Sequence, residues 1–298
     1  MKYIGRFAPS PTGPLHFGSL VAAVASYLEA KSRDGEWLVR MEDVDTPRVV
    51  RGAAGEILRA LEACGMQWDG AILNQSTRAD AYHAELHRLR AAGLVYPCAC
   101  SRREIADSAV SGIEGPVYPG TCRNGLAPGK TARAWRINTH GADICFDDEL
   151  QGRVEQNLET DIGDFVLLRA DHVYAYQLAV VVDDAEQGVT DVVRGADLLD
   201  STPRQIFLQR LLKFPTPRYC HVPVVVNAAG EKLSKQTRAQ PIDATHPAPA
   251  LMAALRFLGH APPPELANAG VAAFWTWAIA NWRIEHVPRM RSATLPAA

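Results

Sequence analysis

The start of the chain switches between two hydrophobic periods, and this restricts the possible folds more than any other feature. Tyr3 to Ala8 is short and apolar-rich, the pattern of a strand. Pro9 to Pro14 is a turn-rich loop, and Ser19 to Lys31 has helical spacing and good helix formers. Trp37 to Asp43 reads as a second strand. Gly52 to Gly65 reads as a second helix with Gly65 as its stop, and Ala79 to Gly93 as a third. Strands that alternate with helices in this way pair in parallel, which points to a doubly wound α/β fold.

Residues 95 to 160 break the pattern. They are rich in Gly, Pro and Cys, with short extended pieces at 132–138 and 144–148, and read as an insertion between two halves of a sheet. The α/β pattern resumes at Phe165 to Ala185 and Val189 to Leu199. A helix is expected from about Thr202 to Leu212, with Pro203 suited to its first turn. His221 to Asn227 reads as one strand leading into a loop at 228–237. The last fifty residues look helical, interrupted at Pro262 to Pro264. The expected division is a first half-sheet at 1–94, the insertion at 95–160, a second half-sheet at 161–240 and a helical region at 241–298.

Length and charge narrow the function. The 298 residues can bury a full core, and no apolar run approaches the ~18–20 residues that span a bilayer. The N-terminus lacks the sections of a signal peptide, so a cytoplasmic protein with no membrane partner is expected. A net charge of -2 argues against a protein that coats nucleic acid, while site-specific contact with RNA stays open. The six cysteines are not expected to form a disulfide framework, and the three between residues 98 and 122 suit a metal better.

Two loops carry phosphate chemistry. Arg6 to Ser19 is a proline-stiffened loop that delivers His16 and Gly18 to a helix start. There, unpaired N–H groups and the positive end of the helix dipole suit a phosphate. Gly18 lets a flat base or sugar approach the backbone, and His16 can donate to a phosphate oxygen. Read alone, the segment is a stiff turn with Ser19 as the helix cap. The second loop holds Lys232 and Lys235, two cations three residues apart that can close over a triphosphate; read alone, it is a solvated charged turn.

The run Ala8-Pro9-Ser10-Pro11-Thr12-Gly13, with Leu15, His16 and Gly18, resembles the signature of class I aminoacyl-tRNA synthetases in the form used by glutamyl- and glutaminyl-tRNA synthetases. Ser19 stands where the generic His-Ile-Gly-His form has its second His. Lys232-Leu233-Ser234-Lys235-Gln236 resembles the second signature, Lys-Met-Ser-Lys-Ser, with Gln236 replacing the final Ser. Arg40 to Asp45 resembles the family's Arg-Ile-Glu-Asp-Thr-Asp segment, and the runs around Tyr176 and Arg194 resemble its second half-sheet. The resemblance implies a Rossmann-type class I catalytic domain that binds ATP at His16, Gly18, Ser19, Lys232 and Lys235, with His16 and Lys235 as its catalytic groups. It also implies a glutamate site formed by Arg6, Phe7, Ala8, Pro9, Ser10, Glu42, Tyr176 and Arg194. The chemistry agrees: a dicarboxylic amino acid needs guanidinium forks for its carboxylates and an anion for its ammonium. Taken singly, each of these residues is an ordinary salt bridge or a packed tyrosine.

Cys98, Cys100 and Cys122 are three thiols suited to zinc, and a tetrahedral site needs a fourth ligand. His140 is the generic choice. Cys-x-Cys followed by Tyr118-x-x-x-Cys122 resembles the zinc insertion of one branch of the family, in which a tyrosine completes a structural Zn2+ site. The other reading is a set of buried thiols in an irregular insertion. Cys64, Cys145 and Cys220 read as small core residues.

Only about 60 residues follow Lys235, fewer than the ~100–150 of a typical domain, so a complete anticodon-binding module is not expected. This short form, with its Cys-Cys-Tyr-Cys insertion, resembles the branch that activates L-glutamate with ATP and Mg2+ without needing tRNA. That branch transfers the amino acid to the queuosine base of tRNA(Asp). Three alternatives are a truncated enzyme charging the terminal adenosine of tRNA(Glu), a non-catalytic paralogue that binds tRNA or an amino acid, and a nucleotidyltransferase of the same superfamily. The last has no use for the glutamate constellation.

Overall fold

The computed structural model describes residues 2–108, 110–113, 115–227, 229–232 and 241–294. Strands β1 (Ile4–Phe7), β2 (Glu36–Met41) and β3 (Leu73–Asn74) lie side by side in parallel. Helices α1 (Phe17–Lys31) and α2 (Ala53–Ala63) make the crossovers. After α3 (Ala79–Ala91) and β4 (Val95–Cys98) the chain becomes irregular. It forms α4 (Arg102–Ser108), the short pair β5 (Ser111–Gly112) and β6 (Gly115–Pro116), and β7 (Ala134–Ile137). A hairpin follows, β8 (Asp143–Asp148) with β9 (Gly152–Asn157), then α5 (Leu158–Asp161) and β10 (Val166–Leu168). Strands β10, β7 and β4 make an antiparallel sheet in that order.

The parallel pattern returns with α6 (Tyr176–Glu186), β11 (Asp191–Gly195), α7 (Thr202–Leu212) and β12 (Arg218–Val222), where β11 and β12 pair in parallel. The two parallel sheets meet at β1. Thr190 N–H donates to Ile4 O at 2.9 Å, and Thr190 Oγ1 accepts from Ile4 N at 2.9 Å. The chain thus builds outward from β1 in both directions, and a crevice opens beyond the carboxyl ends of β1 and β11.

Alternation along the strands sorts side chains to two helix layers. Trp37, Val39, Met41, Val193 and Cys220 join the apolar cluster that holds α1 and α2. Val192 and Tyr219 join the cluster that holds α3, α6 and α7. Arg6, Arg40, Arg194 and His221 occupy the same phase as this second set, which aims four polar groups at the α6–α7 side.

The C-terminal segment supplies α8 (Ala248–Phe257) and α9 (Gly270–Asn281), whose residues enter the cluster around α1. Two tryptophans bind it to the first half-sheet. Trp282 Nε1–H donates to the buried Glu29 carboxylate at 2.6 Å, and Trp275 Nε1–H to Cys64 O at 2.7 Å.

Three expectations are corrected. The first helix begins at Phe17, because Leu20 N–H already bonds His16 O at 2.9 Å, so His16 and not Ser19 is the cap. The strand expected at 221–227 is interrupted at Pro223, which has no N–H to give; β12 ends before it and β13 (Val224–Val226) starts after it. The last fifty residues are not wholly helical, since β14 (Ser292–Thr294) pairs in parallel with β13. Among the described residues no helix is long and apolar enough to cross a membrane.

Candidate active site

A cleft of about 890 Å³ opens at the β1–β11 junction, and its lining contains Arg6 through Ser10, His16, Gly18, Ser19, Glu42, Tyr176, Arg194 and Lys232. Residues from five separate stretches of sequence therefore meet in one place. Lys235 lies outside the described residues. The backbone explains part of the assembly: Glu42 N–H donates to Pro9 O at 3.0 Å, tying the loop after β2 to the loop after β1.

The cleft floor is a compact charge network. Arg6 Nε donates to Asp184 Oδ1 at 3.1 Å, and Arg40 Nη2 lies 2.7 Å from the same oxygen. Arg40 Nη1 also donates to Gln187 Oε1 at 2.7 Å. Burial pushes the Asp184 carboxyl upward, but Arg40 and Arg6 together overcome it and hold the group below its ordinary range. Glu42 lies 3.7 Å from Arg40, and its buried Oε1 accepts no hydrogen bond among the described residues. Here burial wins over Arg40 and Arg6, and the carboxyl is pushed up to about 7. A buried acceptor with no donor is costly, and a cationic ligand would relieve that cost.

Arg194 stands in register with His221 of the neighbouring strand, and its Nε donates to His221 Nε2 at 3.0 Å. Its Nη2 donates to Thr202 Oγ1 and Gln205 Oε1, each at 2.9 Å. Its Nη1 points to Tyr176 Oη, 3.5 Å away at the first residue of α6. Burial and the Arg194 charge push His221 down to about 4 despite the Asp148 carboxylate, so the ring is neutral.

At the opposite end, His16 caps α1. Its Nδ1 accepts from Ser19 N–H at 3.3 Å, and its Nε2 lies 3.0 Å from Ser19 Oγ. The ring thus orders the first turn of the helix, whose residues Gly18 and Ser19 line the cleft. Lys232 Nζ lies 2.5 Å from Asp197 Oδ2, which joins the start of the lysine loop to the 3-10 turn after β11.

Sequence reasoning missed Asp184, Asp197, Asp148 and His221, and assigned no role to Arg40. Strand alternation was a usable signal for Arg40, since it stands two residues before Glu42 on the face opposite Val39 and Met41. The partner of Arg6 lies 178 residues away and left no local trace.

A second cluster lies outside the cleft. The sulfurs of Cys98, Cys100 and Cys122 all lie within 4.8 Å of one another. Tyr118 Oη is 3.4 Å from Cys98 Sγ and 3.7 Å from Cys100 Sγ, and it accepts from Cys122 N–H at 3.0 Å. His140 does not join them; it is exposed and lies 2.9 Å from Glu159 Oε1. All six cysteines are free thiols.

The catalytic-domain family of class I tRNA synthetases (E and Q) matches residues 3–265. The chain is 60% identical over 296 residues to the glutamyl-Q tRNA(Asp) synthetase of Aromatoleum aromaticum, covering 99% of this chain and 94% of that one. It is 61% identical over 297 residues to the glutamyl-Q tRNA(Asp) synthetase of Dechloromonas aromatica, covering 99% of both. A glutamate tRNA ligase from Elizabethkingia meningosepticum superposes with a TM-score of 0.80 at 24% identity, over all of this chain and 68% of that one, and shares the fold.

Proposed function

Because this chain belongs to the class I tRNA synthetase family of the E and Q type, we propose that it activates L-glutamate with ATP, without needing tRNA, and passes it to the queuosine base of tRNA(Asp). The observation that carries the reading is the single cleft in which Arg6, Glu42, Tyr176 and Arg194 stand beside the capped start of α1.

ATP lies along the helix start at His16, Gly18 and Ser19, where the backbone N–H groups meet its phosphates. Glutamate is held with its ammonium toward Glu42 and its carboxylates toward the guanidinium side of the cleft. The α-carboxylate then attacks the α-phosphorus in line. The bond to the bridging oxygen breaks and pyrophosphate leaves. Positioning and charge neutralisation suffice for this step, since no protein group becomes covalently attached. Lys232, released from Asp197, and Lys235 neutralise the departing phosphates; Mg2+ arriving with ATP would supply further positive charge there. In the second step a hydroxyl of queuosine attacks the glutamyl carbonyl, the acyl–phosphate bond breaks, and AMP leaves with its phosphate taking up the hydroxyl proton.

A zinc ion suits the thiol cluster. Tetrahedral bonds of about 2.3 Å to sulfur place two sulfurs about 3.8 Å apart. Cys100 and Cys122 are 3.6 Å apart, and Tyr118 Oη sits at similar separations from two of the sulfurs. Held by Cys98, Cys100, Tyr118 and Cys122, the ion has a structural role: it pins an irregular stretch that has little core of its own.

Two measurements test the reading. Glutamate-dependent ATP–pyrophosphate exchange is expected in the absence of any tRNA. Labelled glutamate is expected on tRNA(Asp) containing queuosine and not on tRNA(Asp) lacking it; labelling of tRNA(Glu) in its place would transfer the assignment to a truncated glutamyl-tRNA synthetase.

A further inference from the structure

We infer that Asp148 and His221 are positioning residues for glutamate binding: Asp148 holds His221 as its Nδ1–H tautomer, so that Nε2 accepts from Arg194 and only Nη1 of that guanidinium is offered to the cleft. The inference rests on the proposed role of Arg194 as a carboxylate-binding cation.

The geometry leaves little choice of proton placement. Asp148 ends β8, and its Oδ1 accepts from three backbone N–H groups: Leu150 at 3.1 Å, Gln151 at 2.9 Å and His221 at 3.2 Å. The carboxylate cannot rotate, and Oδ2 is left 2.6 Å from His221 Nδ1. An ionised carboxylate only accepts, so the proton sits on Nδ1. Nε2 then carries a lone pair, which faces Arg194 Nε–H at 3.0 Å and the Thr202 hydroxyl at 3.1 Å. The side chains of Asp148 and His221 are wholly buried, so water does not substitute for either.

The count of donors shows what this achieves. A guanidinium has five N–H groups. Nε–H goes to His221, and the two on Nη2 go to Thr202 and Gln205. The two on Nη1 remain, directed at Tyr176 and the cleft. A neutral imidazole is suited to this place because a charged side chain would either repel the guanidinium or pair with it and compete with the ligand carboxylate. The carboxylate that fixes the ring stands one residue further out, on the hairpin β8–β9, and thus acts on the cleft only through His221.

The test uses the whole protein in ATP–pyrophosphate exchange, with glutamate and ATP varied separately. In Asp148→Asn the amide donates to Nδ1 and moves the proton to Nε2, which sets donor against donor at Arg194, as carboxylate-to-amide exchange does beside other buried histidines. The KM for glutamate is expected to rise about tenfold, the loss of one hydrogen bond to a charged group, while the KM for ATP stays within twofold. His221→Leu is expected to raise it at least as much. His221→Gln places an amide oxygen near the Nε2 position and is expected to recover most of the loss, and adding Asp148→Asn to it should change nothing further. Nitrogen NMR of histidine-labelled protein, with the His221 signal assigned by its absence in His221→Gln, should show a protonated Nδ1. An unchanged glutamate KM in Asp148→Asn, equal rises for both substrates, or a protonated Nε2 in the unmodified protein would overturn the inference. The NMR result decides if Asp148→Asn does not fold. Absence of any glutamate-dependent exchange in the unmodified protein is a different outcome; it removes the functional reading itself.

Discussion

Asp184 of α6 holds Arg6 of β1 across the floor of the cleft, 3.1 Å between Oδ1 and Nε, and both side chains are almost wholly buried. The same oxygen lies 2.7 Å from Arg40 Nη2, so one carboxylate balances two guanidinium groups. Asp184→Ala leaves Arg6 and Arg40 buried without their nearest counter-charge, with Glu42 3.7 Å from Arg40 as the remaining carboxyl. The expected loss of stability is about 3–5 kcal/mol, the range for breaking a buried ion pair, read from the midpoint and slope of urea unfolding. Asp184→Asn, which keeps an acceptor in place, should lose less. Unfolding of Asp184→Ala that superposes on the unmodified protein would remove the pair from the account of the cleft.

If Glu42 receives the ammonium of glutamate as proposed, binding should depend on pH. Its carboxyl is raised from 4.5 to about 7 by burial, against Arg40 and Arg6. Without ligand, the folded protein keeps a proton that the unfolded chain releases. Glu42 therefore contributes stability below pH 4.5 that is lost as pH rises through about 7. An ammonium ligand needs the ionised form and reverses the preference. Apparent glutamate affinity should rise up to about tenfold per pH unit below 7 and level off above it. Glu42→Gln should bind weakly with a flat profile, and titration calorimetry across pH 5.5 to 8.5 distinguishes the two.

Much of this was legible in the sequence, and the reasons it stops are physical. The opening strand, loop and helix lie within the first 31 residues, where local period and turn chemistry decide the structure. Arg6, Glu42, Tyr176 and Arg194 were expected together from resemblance, and they line one cleft. Asp184 and His221 were not, because their roles come from register and from which face of a strand or helix they occupy. Arg194 meets His221 only because β11 and β12 pair in one particular register. The docking of Trp275 and Trp282 was hidden for a similar reason, since they contact Cys64 and Glu29 more than 200 residues earlier.

The thiol cluster lies apart from the cleft. None of Cys98, Cys100, Tyr118 or Cys122 lines the cleft. The purified protein is expected to carry about one zinc ion per chain, measured by elemental analysis, since three thiols and a phenol make one tetrahedral set. Cys100→Ser and Cys122→Ser should lose it and become sensitive to proteolysis near residues 98–133, while glutamate-dependent pyrophosphate exchange falls only a few-fold. Tyr118→Phe should keep the ion but release it to a chelator faster. Metal content that is unaffected in both cysteine variants would place any zinc elsewhere.

The two lysines of the second loop should differ in effect, and the difference reports how the loop works. Lys232 lies 2.5 Å from Asp197, and this partly exposed pair must separate before the ammonium can meet a phosphate. An exposed ion pair is worth at most about 1 kcal/mol, so ATP displaces it readily. Lys232→Ala removes the pair and the phosphate contact together, and the two losses partly cancel; the expected rise in the KM for ATP is about tenfold or less. Lys235 is the residue that resemblance assigns to the departing pyrophosphate. A contact realised as charge develops affects the chemical step more than binding. Lys235→Ala should therefore lower the exchange rate at saturating ATP by a hundredfold or more, the scale for removing one group that stabilises a transition state, with thermal unfolding unchanged. Equal effects of the two substitutions on the KM for ATP, with no loss of maximal rate in either, would assign both lysines to ground-state binding and leave the helix start at His16 to stabilise the transition state.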